Sequence, residues 1–140
     1  MSPTHNSRLK VLVIDDDISM LGLVKLRLEK AGYQILLAEN GVAARQLALS
    51  AAPNLILVDV DMPYWNGYGL VQRLKADPVT RHIPMVFLTA DQQMDVGILQ
   101  LGAAACLRKP LKLDRLLKVV ALFATEAALG PLHGLAVSSR

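Results

Sequence analysis

Short apolar runs alternating with longer amphipathic stretches constrain this chain more than any other feature. Leu9 to Ile14, Tyr33 to Ala38, Asn54 to Val58, Pro84 to Leu88 and Ala104 to Leu107 read as strands. Leu9 to Ile14 and Asn54 to Val58 are apolar on both faces, the mark of a strand covered from both sides. Ser19 to Ala31, Val42 to Ala51, Gly67 to Ala76, Asp91 to Leu101 and Leu113 to about Ala127 read as helices. The boundaries carry familiar punctuation: Gly32 and Gly102 follow two helices, Pro53 ends another, and Asn66 is placed as an N-cap. In the first helix Met20, Val24, Leu28 and Ala31 recur near the helical period, and Gly22 costs about 1 kcal/mol against alanine, so packing must hold it. Strand and helix repeated in this way predict an α/β domain, a parallel sheet with helices on both faces. Such sheets place their functional crevice at the carboxyl ends of the strands.

Composition agrees. Hydrophobic residues make up 53% of 140, enough for a core, and charged residues only 19%, which excludes disorder for the bulk of the chain. Aromatics at 4% predict an aliphatic core. The single cysteine, Cys106, excludes a disulfide framework and a cysteine-based zinc site, and suits a reducing compartment. A net charge of +3 is too small and scattered to indicate direct nucleic-acid binding. Val11 to Ile14 is too short for a signal-peptide core, and Val119 to Leu129, interrupted by Thr125 and Glu126, is too short to span a membrane. The expectation is a cytoplasmic protein without membrane insertion, organised as a tail at 1–8, one domain at 9–127, and a tail or linker start at 128–140.

The strand ends carry the chemistry. The first runs into Asp15, Asp16 and Asp17, the third into Asp59, the fourth into Thr89, and the fifth, one residue on, into Lys109. In a parallel sheet these share one edge. Singly, each has an ordinary explanation: turn chemistry or a helix N-terminus for the acids, a strand former for the threonine, a solvated loop for the lysine. Together they make a cage. Carboxylates crowded in one crevice repel, a hard divalent cation relieves the repulsion, and a lysine and a hydroxyl beside it complete a phosphoryl site. Asp59, closing a buried strand, is the nucleophile candidate, since a carboxylate can accept a phosphoryl group.

These residues resemble the receiver domain of two-component response regulators. Val11-Leu12-Val13-Ile14-Asp15-Asp16 is similar to that family's first strand and acidic pair. Asp59-Val60-Asp61-Met62-Pro63-Tyr64-Trp65-Asn66-Gly67 is similar to its phosphoacceptor loop. Leu88-Thr89-Ala90 resembles the hydroxyl switch, and Gly102-Ala103 with Lys109-Pro110 resembles the end of the fifth strand. The resemblance covers about Arg8 to Thr125. It implies a doubly wound, flavodoxin-like (βα)5 fold with five parallel strands in the order 2-1-3-4-5. It implies that Asp59 accepts a phosphoryl group from a phosphohistidine on a sensor kinase or phosphotransfer protein. Asp16 and Asp59 would ligate Mg²⁺ by side chain, Asp61 by its carbonyl, and Asp15 through water. Lys109 would pair with the phosphoryl oxygens, Thr89 would move to hydrogen-bond one, and the Lys109–Pro110 bond would be cis. The chain would then be a signalling domain that assists its own phosphorylation and dephosphorylation rather than an enzyme. Its downstream effector, or a second copy of itself, would bind the face of the fourth helix, fifth strand and fifth helix.

Several features depart from the family or add to it. Cys106 stands where an aromatic switch residue is usual; it either fills a core site or marks a weakened switch. Asp61 and Asp91 stand two residues after Asp59 and Thr89, positions that by the resemblance tune phosphoryl lifetime. Tyr64 and Trp65 cover the site loop or meet a partner. His5, His82 and His133 have no metal spacing, and Arg73, Lys75 and Arg81 form a solvated face. In the fifth helix Leu116, Val120 and Ala124 face the sheet while Val119, Leu122 and Phe123 broaden the stripe, either as a partner surface or under the C-terminal tail. Three other readings stand beside the switch. They are an interaction module that no longer uses phosphate, a flavodoxin-like small-molecule binder, and a phosphohydrolase with Asp59 as nucleophile and Asp61 as general acid. The acidic loop after the first strand disfavours a flavin phosphate.

Overall fold

The computed structural model describes residues 8–62, 67–90 and 101–126. The elements run β1 (Lys10–Ile14), α1 (Ile18–Lys30), β2 (Gln34–Ala38), α2 (Gly41–Ala51), β3 (Leu55–Asp59), α3 (Gly67–Ala76), β4 (Met85–Thr89), β5 (Ala105–Arg108) and α4 (Leu113–Phe123). The five strands form one parallel sheet in the order β2-β1-β3-β4-β5, the order expected. The helix expected from Asp91, the Asn66 cap, Tyr64, Trp65, His5, His133 and the tail beyond Glu126 lie outside the described residues.

Alternation along the strands builds two cores. Leu12, Ile14, Ile56, Val58, Met85 and Phe87 point to one face and pack with Ala44 and Ala48 of α2 and Leu70, Val71 and Leu74 of α3. Val11, Val13, Leu55, Leu57, Val86 and Leu88 point to the other and pack with Leu21, Val24 and Leu28 of α1 and Leu116 and Val120 of α4. Every residue of β3 and β4 is buried, which is why those strands read as continuous apolar runs. Among the described residues Phe87 is the largest fully buried side chain, and it meets Tyr68 edge-on at 5.8 Å between ring centroids.

Some local expectations are corrected. In α1 Val24 and Leu28 are buried as expected and Met20 packs half-buried beside them; Leu21 also reaches the core, and Ala31 lies beyond the helix in solvent. The last helix ends at Phe123 rather than near Ala127. Ala124 turns to extended backbone, and the next residue's carbonyl, on Thr125, accepts a 3.0 Å hydrogen bond from Asn54 Nδ2. Its apolar breadth is largely absorbed: Leu116, Val120 and Ala124 are buried, Val119 and Phe123 pack against the core, and Leu122 is exposed. Among the described residues no helix is long and apolar enough to cross a membrane.

Gly67, opening α3, permits a close approach. A Cβ there would lie 2.9 Å from the Val60 Cα and 3.2 Å from the Asp59 carbonyl oxygen. Both contacts are backbone and cannot rotate away. Gly67→Ala is expected to lower the unfolding free energy by about 1–3 kcal/mol in urea denaturation, by forcing α3 off the end of β3.

Candidate functional site

The site is assembled by register. Ile14 pairs with Val58 across β1 and β3, so Asp15 and Asp59 emerge side by side. Asp59 pairs with Leu88 and Thr89 with Arg108, which brings Lys109 to the same rim. The ladder continues past the strand ends: Val60 N–H donates to Leu88 O at 3.1 Å, and Lys109 N–H to Thr89 O at 2.8 Å. The peptide bond from Lys109 to Pro110 is cis.

Asp15 and Asp59 are both buried despite their charge. Asp59 is fully engaged, its Oδ1 accepting from Asp61 N–H at 2.8 Å and its Oδ2 from Lys109 Nζ at 2.8 Å. Asp15 Oδ1 accepts from Asp17 N–H at 3.0 Å. Its Oδ2 is buried without a hydrogen-bond partner among the described residues, the Lys109 ammonium lying 3.6 Å away. Burial pushes the Asp15 carboxyl up to about 6; the Asp17 amide opposes this, and the neighbouring Asp59 carboxylate adds to it. For Lys109, burial works against the ammonium, but the hydrogen bond and charge of Asp59, with Asp15 and Asp61 behind it, outweigh burial and hold the pKa above the ordinary lysine value.

Asp16 is exposed. It joins Asp15 and Asp59 in a group in which one carboxylate oxygen from each lies within 4.8 Å of the others. An orphaned buried carboxylate oxygen in an all-oxygen donor set fits a small hard cation. Asp17 is not part of that group: it caps α1, its side chain accepting from Met20 N–H at 3.1 Å. The preference of aspartate for N-caps was the signal that separates it from its two neighbours.

The fourth strand supplies the facing wall. Thr89, fully buried, donates from Oγ1 to Asp61 Oδ1 at 3.1 Å, and Ala90 N–H donates to Asp61 Oδ2 at 2.7 Å. The structure thus brings Asp15, Asp16, Asp59, Asp61, Thr89 and Lys109 to one rim. Cys106 does not join them. It pairs with Phe87 in β4 and packs, half-buried, against the α2–α3 core. The role of Ala90 was invisible in sequence, since only its backbone takes part.

A family model described as the response regulator receiver domain matches residues 11–121. Protein PilH of Pseudomonas aeruginosa is 35% identical over 113 residues, covering 79% of this chain and 93% of that protein. The DNA-binding dual master transcriptional regulator RpaA of Synechocystis is 36% identical over 110 residues, covering 77% of this chain and 46% of that protein. Against RpaA and several other curated relatives the chain spans less than half of their length. The chemotaxis response regulator CheY4 of Vibrio cholerae superposes with a TM-score of 0.77 at 30% identity, covering 83% of this chain and 98% of that one. With the sheet order, the acidic rim and its lysine already in place, these likenesses leave one assignment: the chain belongs to the response regulator receiver domain family.

Proposed function

We propose that this chain is a phosphoryl-accepting switch in which Asp59 takes the group from a phosphohistidine on a sensor kinase or phosphotransfer protein. The observation that carries the reading is the setting of Asp59: buried, bonded to Lys109 Nζ, and beside the unpartnered oxygen of Asp15. A buried carboxylate so placed is costly to a fold and useful to phosphoryl transfer. Asp15, Asp16, Asp59 and the carbonyl of Asp61 would hold Mg²⁺, which when bound neutralises charge on the phosphoryl oxygens.

This chain's own residues do the rest. An Asp59 carboxylate oxygen forms the new P–O bond while the donor's P–N bond breaks and the imidazole nitrogen keeps the electron pair. Lys109 stabilises negative charge at the same place, and the Thr89 hydroxyl and Ala90 amide stand on the same rim at the end of β4. The added charge of about −1.5 to −2 then biases two arrangements of the domain, one of which binds an effector or a second copy. The same reading puts the switch in the cytoplasm and its docking face on the helix expected from Asp91 to Leu101, β5 and α4.

Incubating the full chain with Mg²⁺ and acetyl phosphate is expected to add one phosphoryl mass, labile to base and lost in Asp59→Asn. Many phosphates released per protein would indicate a hydrolase instead, and no mass gain in any metal would leave an interaction module.

A further inference from the structure

We infer that Asp61 is a built-in competitor of the phosphoryl group, its carboxylate seated on the Thr89 and Ala90 donors so that acceptance at Asp59 requires its displacement. The inference rests on the phosphoacceptor reading above. Asp61 Oδ1 accepts from Thr89 Oγ1 at 3.1 Å and Oδ2 from Ala90 N–H at 2.7 Å. One hydroxyl and one amide thus hold two oxygens of an anion, which is what two oxygens of a phosphoryl group would ask of the same wall. The seat is anchored from below, since Asp61 N–H donates to Oδ1 of the nucleophile itself at 2.8 Å. Asp61 is exposed, so its side chain can leave without disturbing the core.

The consequence is a fixed sign. Hydrogen bonds to an ionised acceptor are about twice as strong as neutral ones, so the seated carboxylate is the favoured state before transfer. Only the fraction with the seat vacated is competent, and the apparent affinity for a phosphoryl-like anion falls by that fraction. Like charge adds to the effect. With an acyl phosphate donor the balance is simple: the Asp59 carboxylate forms a P–O bond, the donor's P–O bond breaks, and its carboxylate leaves with the electron pair. Asp61 takes no part in bond making. It is a positioning residue that withholds donors.

The test compares the full chain with Asp61→Ala and Asp61→Asn, with Asp59→Asn as control. In Mg²⁺, Asp61→Ala is expected to bind fluoroberyllate about tenfold more tightly by calorimetry and to gain phosphoryl mass from acetyl phosphate about tenfold faster, with Asp61→Asn between. In the metal-free protein the Ala90 amide proton is expected to move upfield in Asp61→Ala, a readout independent of phosphorylation. Equal or weaker fluoroberyllate binding, or an unmoved Ala90 resonance, overturns the inference while Asp59 labelling stands. No labelling of any variant overturns the phosphoacceptor reading and this inference with it.

Discussion

Lys109→Met is expected to lower the unfolding free energy at pH 7, without divalent cation, by about 2–3 kcal/mol, because breaking a buried ion pair strands the partner charge. Methionine keeps most of the lysine stem, so the loss is electrostatic rather than a cavity. In the native protein one ammonium serves two carboxylates, at 2.8 Å from Asp59 Oδ2 and 3.6 Å from Asp15 Oδ2. Without it, two buried anions face each other. The deficit should shrink at pH 5, where a carboxyl takes up a proton, and in millimolar Mg²⁺, where a cation replaces the ammonium. Guanidinium melts at both pH values, with and without Mg²⁺, read this directly. A deficit that ignores both pH and metal would assign Lys109 a packing role only. On the phosphoacceptor reading, the same variant should accept phosphoryl from acetyl phosphate about 100-fold more slowly, the usual loss when one preorganised charge partner is removed.

Asp15 produces the second large effect, and its sign is opposite to that of most carboxylates. Its pKa is raised in the folded protein from an ordinary 3.8 to about 6. The folded state therefore holds the proton more tightly than the unfolded chain does. Below pH 3.8 Asp15 is protonated in both states and carries no penalty. As pH climbs from about 4 to about 6 the folded protein must ionise a buried group, and stability falls by roughly 3 kcal/mol over that window. Asp15→Asn abolishes the titration and should be the more stable protein above pH 6 by about 2 kcal/mol when metal is withheld, the desolvation cost of the anion being gone. Adding Mg²⁺ should raise the melting temperature of the native chain more than that of the variant. A variant less stable than the native chain at pH 7.5 in chelator would show that the carboxylate is satisfied where it lies.

The sheet was legible because its strands are buried on both faces, which leaves runs such as Leu55 to Val58 with no polar residue to hide them. Their ends were less so. β3 and β4 each run one residue further than their apolar stretches, to Asp59 and Thr89, because the ladder bonds of Val60 and Lys109 hold those polar residues in the sheet. Composition sees side chains, and those bonds are backbone. Met20 and Leu21 are both apolar and both pack on the sheet, so the stripe of α1 is one residue wider than its period alone indicates. Five of the six residues at the rim could be placed from the strand ends alone. The sixth, Asp61, was legible as an acid near the site, but its seat on Thr89 and Ala90 is a contact between segments 28 and 29 residues apart, beyond any local pattern.

The tie between Asn54 and Thr125 sets the domain's polarity. Asn54 precedes β3, bonding Lys10 N–H through its side chain at 2.8 Å and donating its own N–H to the Lys10 carbonyl at 2.8 Å, while its amide group grips Thr125. Asp59 closes the same strand at its other end, roughly 16 Å away for five residues of strand. Whatever the backbone carries beyond Thr125 therefore departs from the pole opposite the acidic rim. On the phosphoacceptor reading, an event at the rim reaches that pole along five residues of buried strand and the close-packed layers on either side, a push along a stiff board.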